Sequence, residues 1–306
     1  MSLRTLAWRL ARRSSPWMRP RLARLRQHAP IAPRIPERYA RTAPPRPAPL
    51  IALVTPSFEQ ARYLERTIRS VVSQRYPALD YVVQDGGSKD GTHEVLERHD
   101  ASLTRWSSAP DGGQAEAINR GFAGVRGSIM AWLNADDLLL PGALAYVAAF
   151  FEARPDVDVV YGHRLIIDEQ DREIGRWVLP PHDDVVLRWA DFVPQETLFW
   201  RRSAWERTGA AIDESFRFAM DWELLLRFVE AHCRIVRLPR FLGAFRVHPG
   251  QKTSSEGDLG RQEMTRLRRR TLGRAPSAEQ IHRGLGRFYA HHLALHALYR
   301  AGVLRY

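Results

Sequence analysis

From Leu50 onward, apolar residues gather in short runs separated by polar turns. Leu50–Thr55 is such a run, closed by Pro56-Ser57, and predicts a strand buried on both faces. Leu64, Ile68, Val71 and Val72 then recur on one face of a helical pattern. Leu79–Gln84 predicts a second buried strand, stopped by Asp85-Gly86-Gly87-Ser88. The turn Asp90-Gly91-Thr92 leads into a helix from His93. Leu103–Ser107 predicts a third, weaker strand ended by Pro110-Asp111-Gly112-Gly113, with a helix over Gln114–Phe122. Ser128–Leu133 predicts a fourth, ended by Asn134-Ala135-Asp136-Asp137, and Pro141 opens the next helix. Four strand–loop–helix units in succession predict a mainly parallel sheet with helices on both faces.

After Pro155 the rhythm changes. Val157–Tyr161, Arg164–Ile167 and Arg172–Val178 predict three strands of a β-meander joined by Asp-rich turns. A helix is expected over Asp221–Glu230, extended chain over Arg234–Leu238 and Gly243–His248, and a helical tail over Glu256–Tyr306. Ahead of the body, Leu3, Leu6, Ala7 and Leu10 fall at helical spacing until Pro16 and Pro20 interrupt them. The Pro-rich text from Ile31 to Pro49 predicts a linker. The expected division is therefore an arm and linker at 1–48, a domain at 49–255 and a helical tail at 256–306.

Charge sharpens that division. Residues 1–50 hold twelve Arg and one acid, Glu37, whereas the remainder is close to neutral, so the net +12 sits mostly on the arm. A basic nucleic-acid-binding surface on the body is not supported. Arg with Trp8, Trp17 and Leu suits a helix in an anionic membrane interface over residues 1–27; a disordered basic tail or a start codon assigned too early are the other readings. No stretch approaches the ~20 apolar residues that span a bilayer. The single cysteine, Cys233, forms no internal disulfide and fits a reducing compartment, so a cytoplasmic location, peripheral on the inner membrane face, is expected.

The chemistry concentrates where the strands end. Asp85, Asp111, Asp136 and Asp137 all follow predicted strands, on the edge where open α/β sheets bind ligands. One such Asp is ordinary turn chemistry. Four on one edge need a cation or donors to offset their shared charge, and carboxylates with a hard divalent cation suit a diphosphate. Neither G-x-G-x-x-G nor a P-loop is present, and no Cys/His set has zinc spacing.

Taken in order, the motifs resemble the family 2 inverting glycosyltransferases. The matching text is TPSFEQARYLERTIRSVVSQ, YVVQDGGSKDGT, DGGQAEAINRGF, WLNADDLLLPGAL, PQETLFWRRSAWERTG, FRFAMDWELLLRF and FRVHPGQKTS, spread over residues 50–255. The resemblance implies a GT-A fold: a Rossmann-like, mainly parallel central sheet flanked by helices, with a small β-meander and C-terminal helices. It implies nucleotide contacts from Thr55 and Ser57, and a base-binding acid at Asp85. Asp111 and Asn119 would lie on the ribose and phosphate side. Asn134-Ala135-Asp136 falls at the D-x-D motif, with Asp136 the metal ligand (Mn2+ or Mg2+) and Asp137 beside it. Asp221 matches the general base, followed by Trp222 and Glu223 on the acceptor side with Gln195 and Glu196. His248 and Lys252 match the segment that closes over the diphosphate.

Three departures are visible: Asn134 replaces the first acid of D-x-D, Gly86 a second acid after Asp85, and Ile118 a basic residue. The implied reaction moves a sugar from a nucleotide diphosphate donor, UDP-sugar first, to a glycan or lipid-linked acceptor in cell-surface polysaccharide or glycolipid assembly. The arm and the Arg266–Arg270 cluster tilt the acceptor toward a lipid-linked one. A nucleotidyltransferase, or a non-catalytic nucleotide-sugar-binding protein, would use the same acids differently.

Overall fold

The computed structural model describes residues 24–251 and 257–306. Residues 1–23 of the expected membrane arm, and Lys252, lie outside them.

The first half builds as the spacing predicts. Strand β1 (Ile51–Ser57) leads to α1 (Ala61–Val72), and β2 (Leu79–Asp85) to α2 (Thr92–His99). After β3 (Arg105–Ser108) comes α3 (Gln114–Phe122); after β4 (Ile129–Trp132) come the two-residue β5 (Leu138–Leu139) and α4 (Ala143–Ala153). β1, β2, β3 and β4 are parallel, in the order β3-β2-β1-β4. The chain therefore reverses direction across the sheet between β1 and β4, which leaves a crevice at their carboxyl ends. Alternate residues of each strand feed two cores. Leu53, Tyr81 and Ala131 pack toward α1, α2 and α4, while Val54, Val82 and Trp132 pack toward α3.

The second half departs from the expected meander. Val159–Ile167 is one continuous strand, β6, buried at every residue, so Gly162-His163 does not break it. β7 (Glu173–Trp177) pairs with it antiparallel. Then follow α5 (Asp184–Leu187), a 3-10 turn at Gln195–Thr197, β8 (Phe199–Arg201), α6 (Arg202–Arg207) and α7 (Met220–Glu230). β9 (Ile235–Arg246) likewise joins two segments expected apart. It passes through Pro239, which is exposed and coincides with a shift of register against β6, where no ladder donor is needed. β8 inserts antiparallel between β4 and β6, so nine strands form one mixed sheet among the described residues.

Both flanks are bound to this body. The Pro-rich stretch expected as a linker is a strap: Tyr39 is 2% exposed among Leu165, Val178 and Phe241. The Arg240 guanidinium lies 3.9 Å over its ring and donates to its carbonyl at 3.0 Å. The expectation failed because one buried aromatic outweighs the Pro-rich text around it. The tail forms α8 (Gly257–Leu272), α9 (Ala278–Gly284) and α10 (Gly286–Arg300). Three members of its basic cluster face protein. Arg266 lies over Phe216, Arg268 donates to the Trp189 carbonyl, and Arg270 pairs with Glu223. That removes most of the cluster from the argument for a lipid-linked acceptor.

If the strap is part of the fold, Tyr39→Ala should lower stability by about 3–5 kcal/mol. Urea unfolding of the full chain measures this, and a change within ±0.5 kcal/mol would return the stretch to the status of a linker.

Candidate active site

The crevice is lined by the loops after β1, β2, β3 and β4, closed on one side by the end of β9. After β1, the Thr55 hydroxyl is buried and meets the Tyr81 hydroxyl at 3.1 Å, so it turns into the core. Ser57, on the same side of the strand, keeps a buried hydroxyl with no protein partner. Phe58 follows it with 62% of its surface exposed.

Asp85 ends β2 fully buried. Its carboxylate accepts from Gly87 N at 3.1 Å, Ser88 N at 2.9 Å, Ser88 Oγ at 2.6 Å and Ser108 Oγ at 2.7 Å. The same Ser88 hydroxyl accepts Glu59 N at 2.7 Å, which ties the β1 loop to the β2 loop. Asp85 therefore organises three loops, and four donors already occupy its oxygens. Gly86 explains one departure from the family pattern: a Cβ there would sit 3.2 and 3.3 Å from the two Asp111 oxygens and 3.1 Å from Phe58. An acid at 86 would crowd a like charge. Asp111 itself accepts Gly113 N at 2.9 Å, at the entrance to α3.

Asn119, expected on the ribose side, is occupied elsewhere. Its amide nitrogen donates to Ile212 O and Glu214 Oε1, and its oxygen accepts Ile212 N at 2.7 Å. On the preceding turn of α3, Gln114 donates to Asn134 Oδ1 at 2.7 Å, spanning the loops after β3 and β4.

The metal-type pair comes from two distant segments. Asp136 Oδ2 and His248 Nε2 are 2.9 Å apart, joining the β4 loop to the residue just past β9. Arg246 makes that meeting possible: its backbone N donates to Asp137 Oδ1 at 3.0 Å and its Nε to the Asp136 carbonyl at 2.7 Å. Asp137 is fully buried behind the pair. Burial, then the charges of Asp136 and Glu196, push its carboxyl well above the usual range, against the pull of the Arg246 amide and Arg164.

The residues expected on the acceptor side divide. Glu196 forms a buried bidentate pair with Arg164, at 2.9 and 2.6 Å. Gln195 is buried and donates to the Trp132 carbonyl at 2.8 Å. Trp222 is in the core, its indole nitrogen on Leu187 O, and Glu223 is buried between Arg227 and Arg270. None of the four presents an open side chain; each holds a wall. Asp221 is half-buried in the first turn of α7, where Ala219 is the N-cap, and it accepts Trp222 N at 2.8 Å. Sequence reasoning missed Asp191. Desolvation and then the Asp221 charge push its carboxyl up, and because the residue keeps exposed surface, water weakens both causes. Phe58 and Arg246 were missed too. An aromatic directly after a strand-ending Pro-Ser could have marked the first; nothing in the text marks a buried Arg.

Among the described residues no group of three His, Cys, Asp or Glu could hold a metal alone. Asp136 offers an oxygen and His248 a nitrogen of the kind that Mn2+ and Mg2+ accept, but here the two are hydrogen-bonded to each other, so a cation held by them would have to open that bond.

Comparison with known proteins gives the family and the fold. The model of glycosyl transferase family 2 matches residues 52–208. The O-antigen biosynthesis protein RfbC of Myxococcus xanthus is 30% identical over 230 residues, covering 73% of this chain; the match spans only 18% of RfbC. The uncharacterized glycosyltransferase Rv1514c of Mycobacterium tuberculosis (strain ATCC 25618 / H37Rv) is 30% identical over 186 residues, 59% of this chain and 69% of its own length. S. aureus TarS 1–349, solved in complex with UDP-GlcNAc, superposes with a TM-score of 0.60 at 17% identity over 80% of this chain and 73% of that one. The mannosyltransferase PcManGT from Pyrobaculum calidifontis, solved with GDP-Man and Mn2+, gives 0.57 at 19% identity over 95% and 77%. These two show a shared fold, the GT-A fold expected above.

Asp137 yields a pH prediction. With a raised value the folded state binds this proton more tightly than the unfolded chain, so stability should fall as pH rises from about 4 through the raised value. Asp137→Asn should flatten that decline in urea unfolding repeated across pH. An unchanged slope would remove Asp137 as its source.

Proposed function

Because the chain belongs to glycosyl transferase family 2, we propose that it transfers a sugar, with inversion, from a nucleotide diphosphate donor to an acceptor hydroxyl in polysaccharide or glycolipid assembly. The observation that carries the reading is the hydrogen bond between His248 Nε2 and Asp136 Oδ2, 2.9 Å long at the carboxyl end of β4, which gathers two groups that would ligate a cation once that bond opens.

The donor's base and ribose fit the side lined by Ser57, Phe58 and Asp111. The free buried hydroxyl of Ser57 and the open ring of Phe58 offer a hydrogen bond and a stacking face. Asp85 contributes by fixing those loops and, once they rearrange, as an acceptor for the base. The diphosphate lies toward Asp136, His248 and Asn134, with Lys252 as a further cation. Bound Mn2+ or Mg2+ would offset the charge of the departing diphosphate. On the far side, Asp221 takes the proton of the acceptor hydroxyl as it attacks the anomeric carbon; attack opposite the leaving group inverts that centre. Its neighbour Asp191 disfavours a second negative charge and so raises the proton affinity of the pair. Asn119, Gln195, Glu196, Trp222 and Glu223 serve by position, holding the walls.

A UDP-sugar is the favoured donor, in keeping with the UDP-GlcNAc complex of TarS; GDP-sugar follows, as in PcManGT. No helix among the described residues is long and apolar enough to cross a membrane. Of the expected arm 1–27, Arg24 and Gln27 are hydrogen-bonded to β7 and belong to the body, so docking on an anionic inner face, as proposed for a lipid-linked acceptor, is left to residues 1–23.

A thermal-shift panel of UDP-, dTDP-, GDP- and CMP-sugars, with and without Mn2+ or Mg2+, tests this. One nucleotide class at ~100 times its dissociation constant should add about 2.7 kcal/mol of stability. That gain should need the metal and vanish in Asp136→Ala and His248→Ala. Asp221→Asn should keep the shift and lose turnover. Metal-independent binding that survives both ligand changes would sink the reading.

A further inference from the structure

Helix α7, which carries Asp221, starts without a cap of its own: its N-cap is Ala219, which has no acceptor side chain. The acceptor comes from α8. Glu263, 6% exposed, takes Arg217 N at 2.8 Å on Oε1, and Phe218 N at 2.9 Å and Ala219 N at 2.8 Å on Oε2. Three amides converging on one carboxylate fix the backbone immediately ahead of Asp221, and bonds to a charged acceptor are the strong kind.

The same helix grips both sides of this point. Gly260 lets the Phe218 ring approach so closely that a Cβ would lie 2.8 Å from it. Leu267 is fully buried in the core that includes Trp222. Past Asp221, the Arg268 guanidinium lies 5.3 Å over the Trp222 ring and Arg270 Nη1 reaches Glu223 Oε1 at 2.7 Å. Residues 217–219, 222 and 223 are thus all held by α8, and both stretches follow the segment that the family model matches, residues 52–208.

From this bracket around Asp221, we propose that Glu263 is a positioning residue that sets the Asp221 carboxylate against the reacting hydroxyl, so that the C-terminal helix belongs to the catalytic unit. The proposal rests on Asp221 being the proton acceptor. A carboxylate on a helix start moves with that start, and a displacement of ~1 Å at a reacting group can cost about 100-fold in rate.

The test uses the full chain as Glu263→Ala, Glu263→Gln, Asp221→Asn and the Glu263→Ala/Asp221→Asn double variant. Turnover is read as nucleoside diphosphate released from UDP-GlcNAc or GDP-mannose with Mn2+, water serving as acceptor; hydrogen exchange is read at amides 217–222. Glu263→Ala should speed exchange at 217–222 and leave β1 to β4 protected. It should lower kcat by about 100-fold with donor KM unchanged. Glu263→Gln, which keeps an acceptor oxygen, should recover part of both and carries the comparison if the Ala variant does not fold. Added to Asp221→Asn, Glu263→Ala should cost nothing further, because it acts through that residue. Unchanged exchange at 217–222, or losses that multiply in the double variant, would overturn the proposal. If Asp221→Asn turns over normally, the base assignment fails instead, and exchange alone decides whether Glu263 holds the helix start.

Discussion

The buried pair Arg164–Glu196 is the constraint on which both halves of the crevice depend. Arg164 comes from β6 and Glu196 from the 3-10 turn ahead of β8, and the Glu196 side chain is wholly out of water. The guanidinium is also clasped by the rings of Trp177 and Phe245, at 4.8 and 4.5 Å. Gly243 of β9 gives the turn room, since a Cβ there would meet the Glu196 carbonyl and Cγ at 2.7 Å. Such a pair adds little net stability, because desolvation offsets most of its attraction, but losing one member leaves an uncompensated charge. Its value is placement. The charges of Arg164 and Glu196 act on Asp137, next to Asp136, and on Asp191, beside Asp221. One ion pair thus acts on acids at both ends of the crevice.

The first half of the body was legible because local pattern and tertiary environment agree there. Each of β1, β2 and β4 is an apolar run with both faces buried, and each ends in the turn residues that the spacing indicated. Helix α3 has the predicted bounds, Gln114–Phe122. Legibility fell where long-range contacts decide. β6 and β9 each read as two separate segments; in the fold they pair with one another before and after Gly162 and Pro239, and that ladder carries both strands through. The strap read as a linker because nothing local reveals that Tyr39 will find Arg240.

The site shows the same division. The strand ends placed Asp85, Asp111, Asp136 and Asp137 on one edge of the sheet, and the fold puts them there, with His248 brought against Asp136. It could not say which way each side chain turns. Thr55, Asn119, Glu196 and Glu223 are polar residues in matching text whose partners are protein atoms. A motif reports that a position matters without separating contact with a ligand from support of a wall. Only the partners distinguish them, and those lie as far apart in sequence as Glu223 and Arg270.

The strap and the last residues finish beside one another: Arg38 Nη2 donates to the Arg305 carbonyl at 3.3 Å, and the Tyr306 ring packs on His163 of β6. The strap and the tail therefore brace one another over a shared apolar surface, where Tyr39 and Phe241 lie under Leu295, Tyr299 and Tyr306. Neither flank can lift away without wetting rings that the other also covers, so the two behave as one clasp across β6 and β9 and not as independent extensions.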